Sequence, residues 1–355
     1  MPSAEVIRRA PKVVLHDHLD GGLRPTTLVE LAAASGYSGL PSTDPDALAA
    51  SIRRSVATGS LERYLTAFTH TVAVLQRAAA LERVAYECVA DHAADGVAYA
   101  EVRMAPELCT AEGLTLDDAL EAMLAGLDRG SRTHGISARL IVCGMRERGR
   151  TLEAARAAVR WRERGVVGFD IAGPEAGFPP EAHREAFRVA RDGGLGLTVH
   201  AGEGAGLPSL RGALLDCGAE RIGHGVRISD DISAGDPPSF GDLAGMVHAR
   251  RVPLEVCPTS NVHIGLAGSV AEHPFGLLHR LGFNVTVNTD NRLMSGVTVS
   301  SEVAAVAAAF DLDLAAVEAL QVAAADAAFA PVEERRRLID DVLRPGFGAL
   351  AAERA

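Results

Sequence analysis

The stretch Lys12-Val-Val-Leu-His16-Asp-His18 joins a short apolar run to two histidines that stand one residue apart. In an extended strand, residues i and i+2 point to the same face, so both imidazoles can reach one metal ion. Neutral imidazole is a preferred zinc ligand. Two ligands do not make a site, so this stretch predicts a metal centre only if other parts of the chain supply further ligands at comparable positions.

Seven more short apolar segments follow, and Ala-, Leu- and Arg-rich stretches with helical spacing lie between them. From the second onward they recur every 25 to 45 residues or so, roughly the size of a βα unit with its loops. This pattern predicts a (β/α)8 TIM barrel that forms a single domain over residues 1–355. The eight segments are Lys12–Leu15, Val97–Arg103, Ala138–Met145, Val166–Ile171, Gly196–His200, Arg221–Gly225, Pro253–Cys257 and Asn284–Thr289.

The first interval differs from the others, because about 80 residues separate the first two strands, far more than a usual connection. Residues Leu48–Leu81 are expected to form extra helices inserted there. Leu61, Tyr64, Leu65 and Phe68 follow helical spacing within this insertion. They fit either core packing or a wall over the barrel mouth, and an apolar helix face is more typical of core.

Composition narrows the class of protein. The net charge is −11 and the basic residues are scattered, which disfavours a nucleic-acid partner and suits a neutral small molecule. No stretch resembles a signal peptide or a membrane span, so we expect a cytoplasmic protein without membrane association. The five cysteines lie far apart without a Cys-x-x-Cys pair, which argues against disulfides and thiolate zinc sites. The oligomeric state stays open.

Lysine is almost absent, since Lys12 is the only one among 35 lysine and arginine residues. A P-loop lysine is therefore excluded, and a Schiff-base mechanism is disfavoured because Lys12 precedes the end of its strand. The chain also has no lysine on a middle strand to become a carboxylated bridge between two metals. The sequence thus predicts one metal ion per chain.

Further candidate ligands follow other strands, and the C-terminal strand ends of a barrel converge on one face. His200 closes the fifth segment, Gly-His224-Gly closes the sixth, and Asp290 follows the eighth. The predicted metal set is three histidines and one carboxylate, a composition typical of zinc with room for a water; cobalt or iron can occupy the same set. Its members are His16, His18, His200 and Asp290. Seven histidines are expected to have ordinary structural roles: His70, His92, His134, His183, His248, His273 and His279.

These motifs together resemble those of adenosine deaminase, within the amidohydrolase superfamily. The resemblance rests on His16-Asp-His-Leu-Asp20-Gly, His200-Ala-Gly-Glu203, Gly-His224-Gly and Thr289-Asp290. It extends along most of the chain through Ser60-Leu-Glu-Arg-Tyr64, Ala100-Glu-Val-Arg103, Gly168-Phe-Asp-Ile-Ala-Gly173 and Cys257-Pro-Thr-Ser-Asn261. The run Asn-Thr-Asp-Asn-Arg-Leu-Met-Ser at 288–295 is similar to actinobacterial members.

The resemblance implies a zinc-dependent deamination at C6 of a purine, since zinc lowers the pKa of bound water towards 7. Asp290 would accept the proton of the attacking water, and His224 would position that water and stabilise the developing charge. Glu203 would protonate ring N1, for which it must itself be protonated. Catalytic roles are therefore expected for Glu203, His224 and Asp290.

The resemblance also implies how substrate binds. The backbone N–H of Gly173 would face purine N3, and Asp20 with His18 would hold the ribose 5′-hydroxyl. Many relatives have a second Asp after the zinc Asp, where it meets purine N7. Here that residue is Asn291, whose amide donates at any pH.

Two other departures concern the exact substrate. Glu147 stands where relatives commonly have His, and His263 stands where an uncharged polar residue is expected. Adenosine and 2′-deoxyadenosine, giving inosine or 2′-deoxyinosine and ammonia in purine salvage, are the first choice of substrate. Adenine or another modified 6-aminopurine nucleoside is the alternative. A different mononuclear amidohydrolase and a non-catalytic homologue are the remaining hypotheses.

Overall fold

The computed structural model describes residues 1–353 and contains one eight-stranded parallel sheet with the strand order β1 to β8. Each strand pairs in parallel with the next one along the chain, as β2 with β3 from Tyr99–Ser137 to Met104–Val142. The strands are β1 Lys12–His18, β2 Val97–Met104, β3 Ser137–Met145, β4 Val166–Ala172, β5 Gly196–Ala201, β6 Arg221–His224, β7 Leu254–Val256 and β8 Val285–Val287.

The sheet closes on itself where the chain just after β8 meets the end of β1, a contact here called the closing seam. An isolated parallel bridge joins Asp17 to Asp290. The amide of His18 donates to the Asp290 carbonyl at 2.6 Å, and the Asp290 amide donates to the His16 carbonyl at 2.9 Å. The predicted (β/α)8 barrel is confirmed.

Helices surround the barrel, and six of them begin at a residue whose side chain accepts a hydrogen bond from the first turn. For example, α7 starts at a capping box of Thr115 and Asp118 and ends at Gly135 in the left-handed conformation. The helices are α1 Ala4–Arg9, α2 Pro25–Ser35, α3 Pro45–Val56, α4 Leu61–Leu65, α5 Phe68–Val74, α6 Ala78–Ala94, α7 Leu116–His134, α8 Thr151–Arg160, α9 Arg184–Asp192, α10 Leu207–Arg211, α11 Asp242–Ala249, α12 Pro258–His263, α13 Phe275–Arg280, α14 Arg292–Ser295, α15 Val299–Ala309, α16 Leu314–Ala327, α17 Val332–Arg337 and α18 Arg344–Ala352.

The long first connection contains helices α2 to α6, so the predicted insertion between the first two strands is confirmed. The sole lysine lies at the opposite end of β1 from the histidines. Its ammonium donates to the carbonyls of Ile7, Arg8 and Ala10 at 2.8, 3.1 and 2.6 Å. Lys12 therefore fastens α1 to the barrel. The five cysteines are buried and free.

Within residues 1–353, none of the helices combines the length and apolar character that crossing a membrane would require.

Candidate active site

The predicted ligands meet at the C-terminal end of the barrel, beside the closing seam. The Nε2 atoms of His16 and His18 each lie 3.4 Å from Asp290 Oδ1, and His18 Nε2 lies 3.1 Å from His200 Nε2. His224 adds a fourth imidazole, with its ring centroid 4.9 Å from that of His16. Asp290 and His224 have φ values of 57° and 60°, a strained backbone that costs roughly 1–3 kcal/mol per residue and is typical of functional sites.

Ligand atoms of four residues lie within 4.8 Å of one another: His16, His200, His224 and Asp290. This group shares three members with the predicted set and has His224 in place of His18. Because His18 Nε2 is also within 3.4 Å of both Asp290 and His200, five side chains converge on one point. Distance alone therefore does not decide between His18 and His224 as ligands.

Two buried carboxylates fix the orientation of two imidazoles. Glu255 Oε2 lies 3.0 Å from His16 Nδ1, and Asp170 Oδ2 lies 2.8 Å from His200 Nδ1. Burial by itself would raise the pKa of Glu255, but Arg103 and Arg221 hold it well below its usual value. An ionised carboxylate only accepts, so Nδ1 carries the proton in each ring and the Nε2 lone pair faces the centre.

Arg103 connects these two carboxylates from inside the barrel. Its guanidinium is fully buried and donates to Asp170 Oδ2 and Glu255 Oε2, both at 2.7 Å, and to the Leu15 carbonyl at 2.5 Å. Burial opposes ionisation of Asp170, yet His200 and Arg103 lower its pKa. Arg103 and Asp170 lie within motifs of the resemblance, but no local pattern in the sequence predicts a role for them or for Glu255.

The set suits a bound cation such as zinc. His16 Nε2 is buried and has no hydrogen-bond partner within the described residues. Ligand atoms of His16 and His200 lie within 4.8 Å of a carboxylate oxygen of Asp290. Acceptors this close together repel one another unless a cation lies between them. Imidazole nitrogens with one carboxylate are a usual donor set for zinc.

A cavity of about 450 Å³ opens in front of these groups. Several predicted site residues line it: His18, Gly173, His200, Glu203, His224, Asp290 and Asn291. The inserted helices α4 and α5 form another part of its wall, where Leu61, Tyr64, Leu65 and Phe68 all line the cavity. These four residues therefore line the cavity, although their helical spacing alone favoured a role in core packing.

Glu203 is held by a tight loop after β5. Both carboxylate oxygens of Glu175 accept backbone N–H groups from residues 202–205, at 2.6 to 3.1 Å. Glu203 Oε1 lies 3.5 Å from His224 Nε2. Burial, followed by the nearby charges of Asp290 and Glu175, raises the pKa of Glu203 well above its usual value. Glu203 is thus suited to carry a proton in the cavity. Sequence reasoning missed Glu175.

Two glycines make room for polar groups at the cavity. A Cβ at Gly173, whose φ is 99°, would lie 2.5 Å from Glu147 Oε2. A Cβ at Gly21 would lie 2.0 Å from Asn291 Oδ1, so no larger residue fits beside that amide. Glu147 lines the cavity, whereas His263 is not among the described residues that do.

Asp20 is placed differently from the other predicted residues. It is buried and its Oδ1 has no hydrogen-bond partner within residues 1–353, but it is not among the residues found to line the cavity. Burial raises the pKa of Asp20 to about 7. An unpartnered buried oxygen leaves an unused hydrogen-bonding position near the site.

Known proteins are similar to this chain both in sequence and in fold. A family model described as Adenosine deaminase matches residues 11–345. An adenosine deaminase of Mycobacterium marinum is 50% identical over 357 residues, covering 99% of each chain. Adenosine deaminase 1 of Streptomyces coelicolor is 51% identical over 359 residues, covering 99% of this chain and 91% of that protein.

Solved structures of related proteins have a similar fold. An adenine deaminase from Arthrobacter aurescens has a TM-score of 0.84 at 26% identity, covering 94% of this chain and 98% of that one. An amidohydrolase from Burkholderia ambifaria with bound Zn has a TM-score of 0.85 at 28% identity, covering 99% and 95%. The arabidopsis N6-mAMP deaminase has a TM-score of 0.82 at 27% identity, covering 97% and 99%. With its full-length match to the family model and to curated relatives, the chain belongs to the adenosine deaminase family.

Proposed function

We propose that the chain deaminates adenosine and 2′-deoxyadenosine to inosine and 2′-deoxyinosine in purine salvage, with one zinc ion per chain. The observation that carries the proposal is Glu203, a buried carboxyl with a raised pKa in the same cavity as the converged ligands. Its position three residues after His200 lets a purine reach the acid and the ligand set together. The 50% identity to adenosine deaminases supports the same reaction.

In the proposed reaction a C6–O bond forms with water, the C6–N bond breaks, and ammonia leaves. Zinc held by His16, His18, His200 and Asp290 would supply a water of lowered pKa. Glu203 donates its proton to ring N1, which makes C6 more electrophilic. Asp290 takes a proton from the attacking water and passes it to the C6 amino group, which leaves as ammonia. The proton of the new C6 hydroxyl returns to Glu203 as the carbonyl forms. His224 donates a hydrogen bond to the incoming oxygen.

The remaining predicted residues hold the substrate. The backbone N–H of Gly173 binds purine N3, and the Asn291 amide donates to N7. Asp20, with His18, binds the ribose 5′-hydroxyl; its unpartnered Oδ1 is available as an acceptor. Asp20 does not line the cavity. To contact the ribose, its carboxyl must therefore become exposed to the cavity when the nucleoside binds, which requires a neighbouring side chain to move.

Adenine is the second candidate substrate, because a solved neighbour is an adenine deaminase. The buried carboxyl of Asp20 favours a substrate that bears ribose. Nucleotides are disfavoured by charge, since the wall carries Glu62 and Glu147 and a single arginine, Arg148. Glu147 Oε1 is already 3.8 Å from the Arg148 guanidinium.

The test is a spectrophotometric comparison of adenosine, 2′-deoxyadenosine, adenine and N6-methyl-AMP, run together with metal analysis. We expect the two nucleosides to have the highest kcat/KM, and chelator-treated protein to be inactive until metal returns. Adenine as the best substrate would overturn the choice of substrate. Two metals per chain would point to a different amidohydrolase, and no ammonia from any 6-aminopurine would point to a non-catalytic homologue.

A further inference from the structure

Behind His224 lies a row of buried hydrogen bonds that leads away from the cavity. The Phe275 amide donates to His273 Nδ1 at 3.0 Å. His273 Nε2 lies 3.1 Å from Asn261 Oδ1, and Asn261 Nδ2 lies 3.1 Å from His224 Nδ1. All four residues are at most 3% exposed, so their polar groups depend on one another rather than on water.

The backbone N–H of Phe275 fixes which atom donates and which accepts in each hydrogen bond of this row. A backbone N–H can only donate, so His273 Nδ1 accepts and carries no proton. Burial lowers the pKa of His273 to about 4, so its single proton at neutral pH is on Nε2, which donates to the Asn261 carbonyl oxygen. The other end of the Asn261 side chain is then its NH2 group, which donates to His224 Nδ1. A neutral His224 must therefore carry its proton on Nε2.

That proton points into the cavity. His224 Nε2 is buried, lies 3.5 Å from Glu203 Oε1, and has no hydrogen-bond partner within the described residues. A protonated ring nitrogen has no lone pair for a cation. His224 therefore differs from His16 and His200, whose Nδ1 atoms face carboxylates and whose Nε2 atoms carry the lone pair.

We propose that Asn261 and His273 are positioning residues that fix His224 as an Nε2–H donor, excluding it from the metal ligands. In the deamination proposed above, on which this role rests, His224 then donates a hydrogen bond to the attacking oxygen and does not remove its proton. That proton goes to Asp290. Neither Asn261 nor His273 lines the cavity among the described residues, so they act through His224.

The direct test is ¹⁵N NMR of the zinc-loaded chain labelled in its histidine rings. We expect His224 and His273 to be protonated at Nε2 and unprotonated at Nδ1. His16 and His200 provide an internal contrast, because their protons are expected on Nδ1. An Nδ1–H tautomer at His224 would overturn the proposal. The measurement needs no substrate, so it stands even if the chain proves inactive on adenosine.

The matched variant is Asn261→Asp, which has nearly the same shape but presents only acceptor oxygens to His224. The tautomer of His224 should reverse. Where an amide–carboxylate exchange puts a catalytic histidine into the wrong tautomer in serine proteases, kcat falls about 10⁴-fold. We expect a fall of at least about 10²-fold in kcat with a smaller change in KM. Wild-type kcat in folded Asn261→Asp protein would refute the role.

Two controls separate this effect from general damage. Asn284→Asp makes the same chemical change away from the cavity. Asn284 lies just before β8, at the end of that strand opposite to Asp290, and its Nδ2 donates to the Arg251 carbonyl. This variant should leave kcat unchanged. His273→Gln retains an N–H that can donate to Asn261 and should keep more activity than His273→Leu. Equal activity of these two variants would count against the role of the His273 N–H in positioning Asn261.

Discussion

Replacement of Arg103 by Met removes the one cation that holds Asp170 and Glu255 together. Methionine has a similar length and no charge, so two buried carboxylates would lose their shared partner. Breaking a buried ion pair costs about 3–5 kcal/mol. The free energy of unfolding of the metal-free chain should fall by about that amount, a large part of the roughly 5–15 kcal/mol of an ordinary domain.

Metal binding should weaken as well, because the same two carboxylates orient His16 and His200. Loss of such orienting groups typically costs 10–100-fold in metal affinity, which is about 1.4–2.7 kcal/mol. Urea unfolding of metal-free protein measures the first effect. Competition with a chelator of known affinity measures the second.

Arg221→Met is the matched control. Arg221 is equally buried and contacts Glu101 and Glu255, both at 2.6 Å, but it does not contact Asp170. We expect a similar loss of stability and at most a few-fold loss of metal affinity. A loss of less than about 1 kcal/mol with unchanged metal affinity in Arg103→Met would refute this role of Arg103. Equal weakening of metal binding in the two variants would refute it as well.

Three further predictions concern single side chains. Glu203→Gln should lower kcat by about 10²–10⁴-fold, the usual range for a general acid, while metal content stays constant; near-normal turnover would contradict its role. Asn291→Asp should bind purine at low pH and lose it at high pH, because only a protonated carboxyl donates to N7; an unchanged pH profile of KM would argue against it. Despite its burial, Asp17 has a lowered pKa because Arg292 and His92 face it. Asp17 therefore stabilises the fold above about pH 4, and this stabilisation is lost as the pH falls further. The free energy of unfolding of Asp17→Asn should be lower than that of the wild type at pH 7, and it should change less between pH 7 and acidic pH.

The barrel and the convergence of the candidate ligands at one end of it were predictable because both depend on local patterns. Most strands contain a short apolar run, and Gly-His224-Gly or Thr289-Asp290 marks the strand end where barrels place polar groups. Parallel topology then brings those ends together without further information. The extra helices were visible as an interval too long for one connection.

Other parts of the site depend on contacts that no local pattern encodes. Glu255 and Asp170 are charged residues within apolar strands, and only the closed barrel shows that each meets an imidazole. His273 has no neighbouring motif, and its direction as an acceptor comes from the backbone of Phe275. The placement of Asp20 outside the cavity lining likewise depends on how side chains pack. Such features arise only in the folded chain, because most of them join residues that are far apart in the sequence.

The closing seam also governs when the site can exist. Asp17 and Thr289, which are hydrogen-bonded across it, are 272 positions apart in the sequence. At a synthesis rate of about 5–20 residues per second, the first histidines would wait roughly 15 to 55 s for Asp290 to be made. Throughout that time the nascent chain offers a metal only an incomplete set of donors. At the proposed site, the complete set of donors therefore forms only late, when the first and last strands meet.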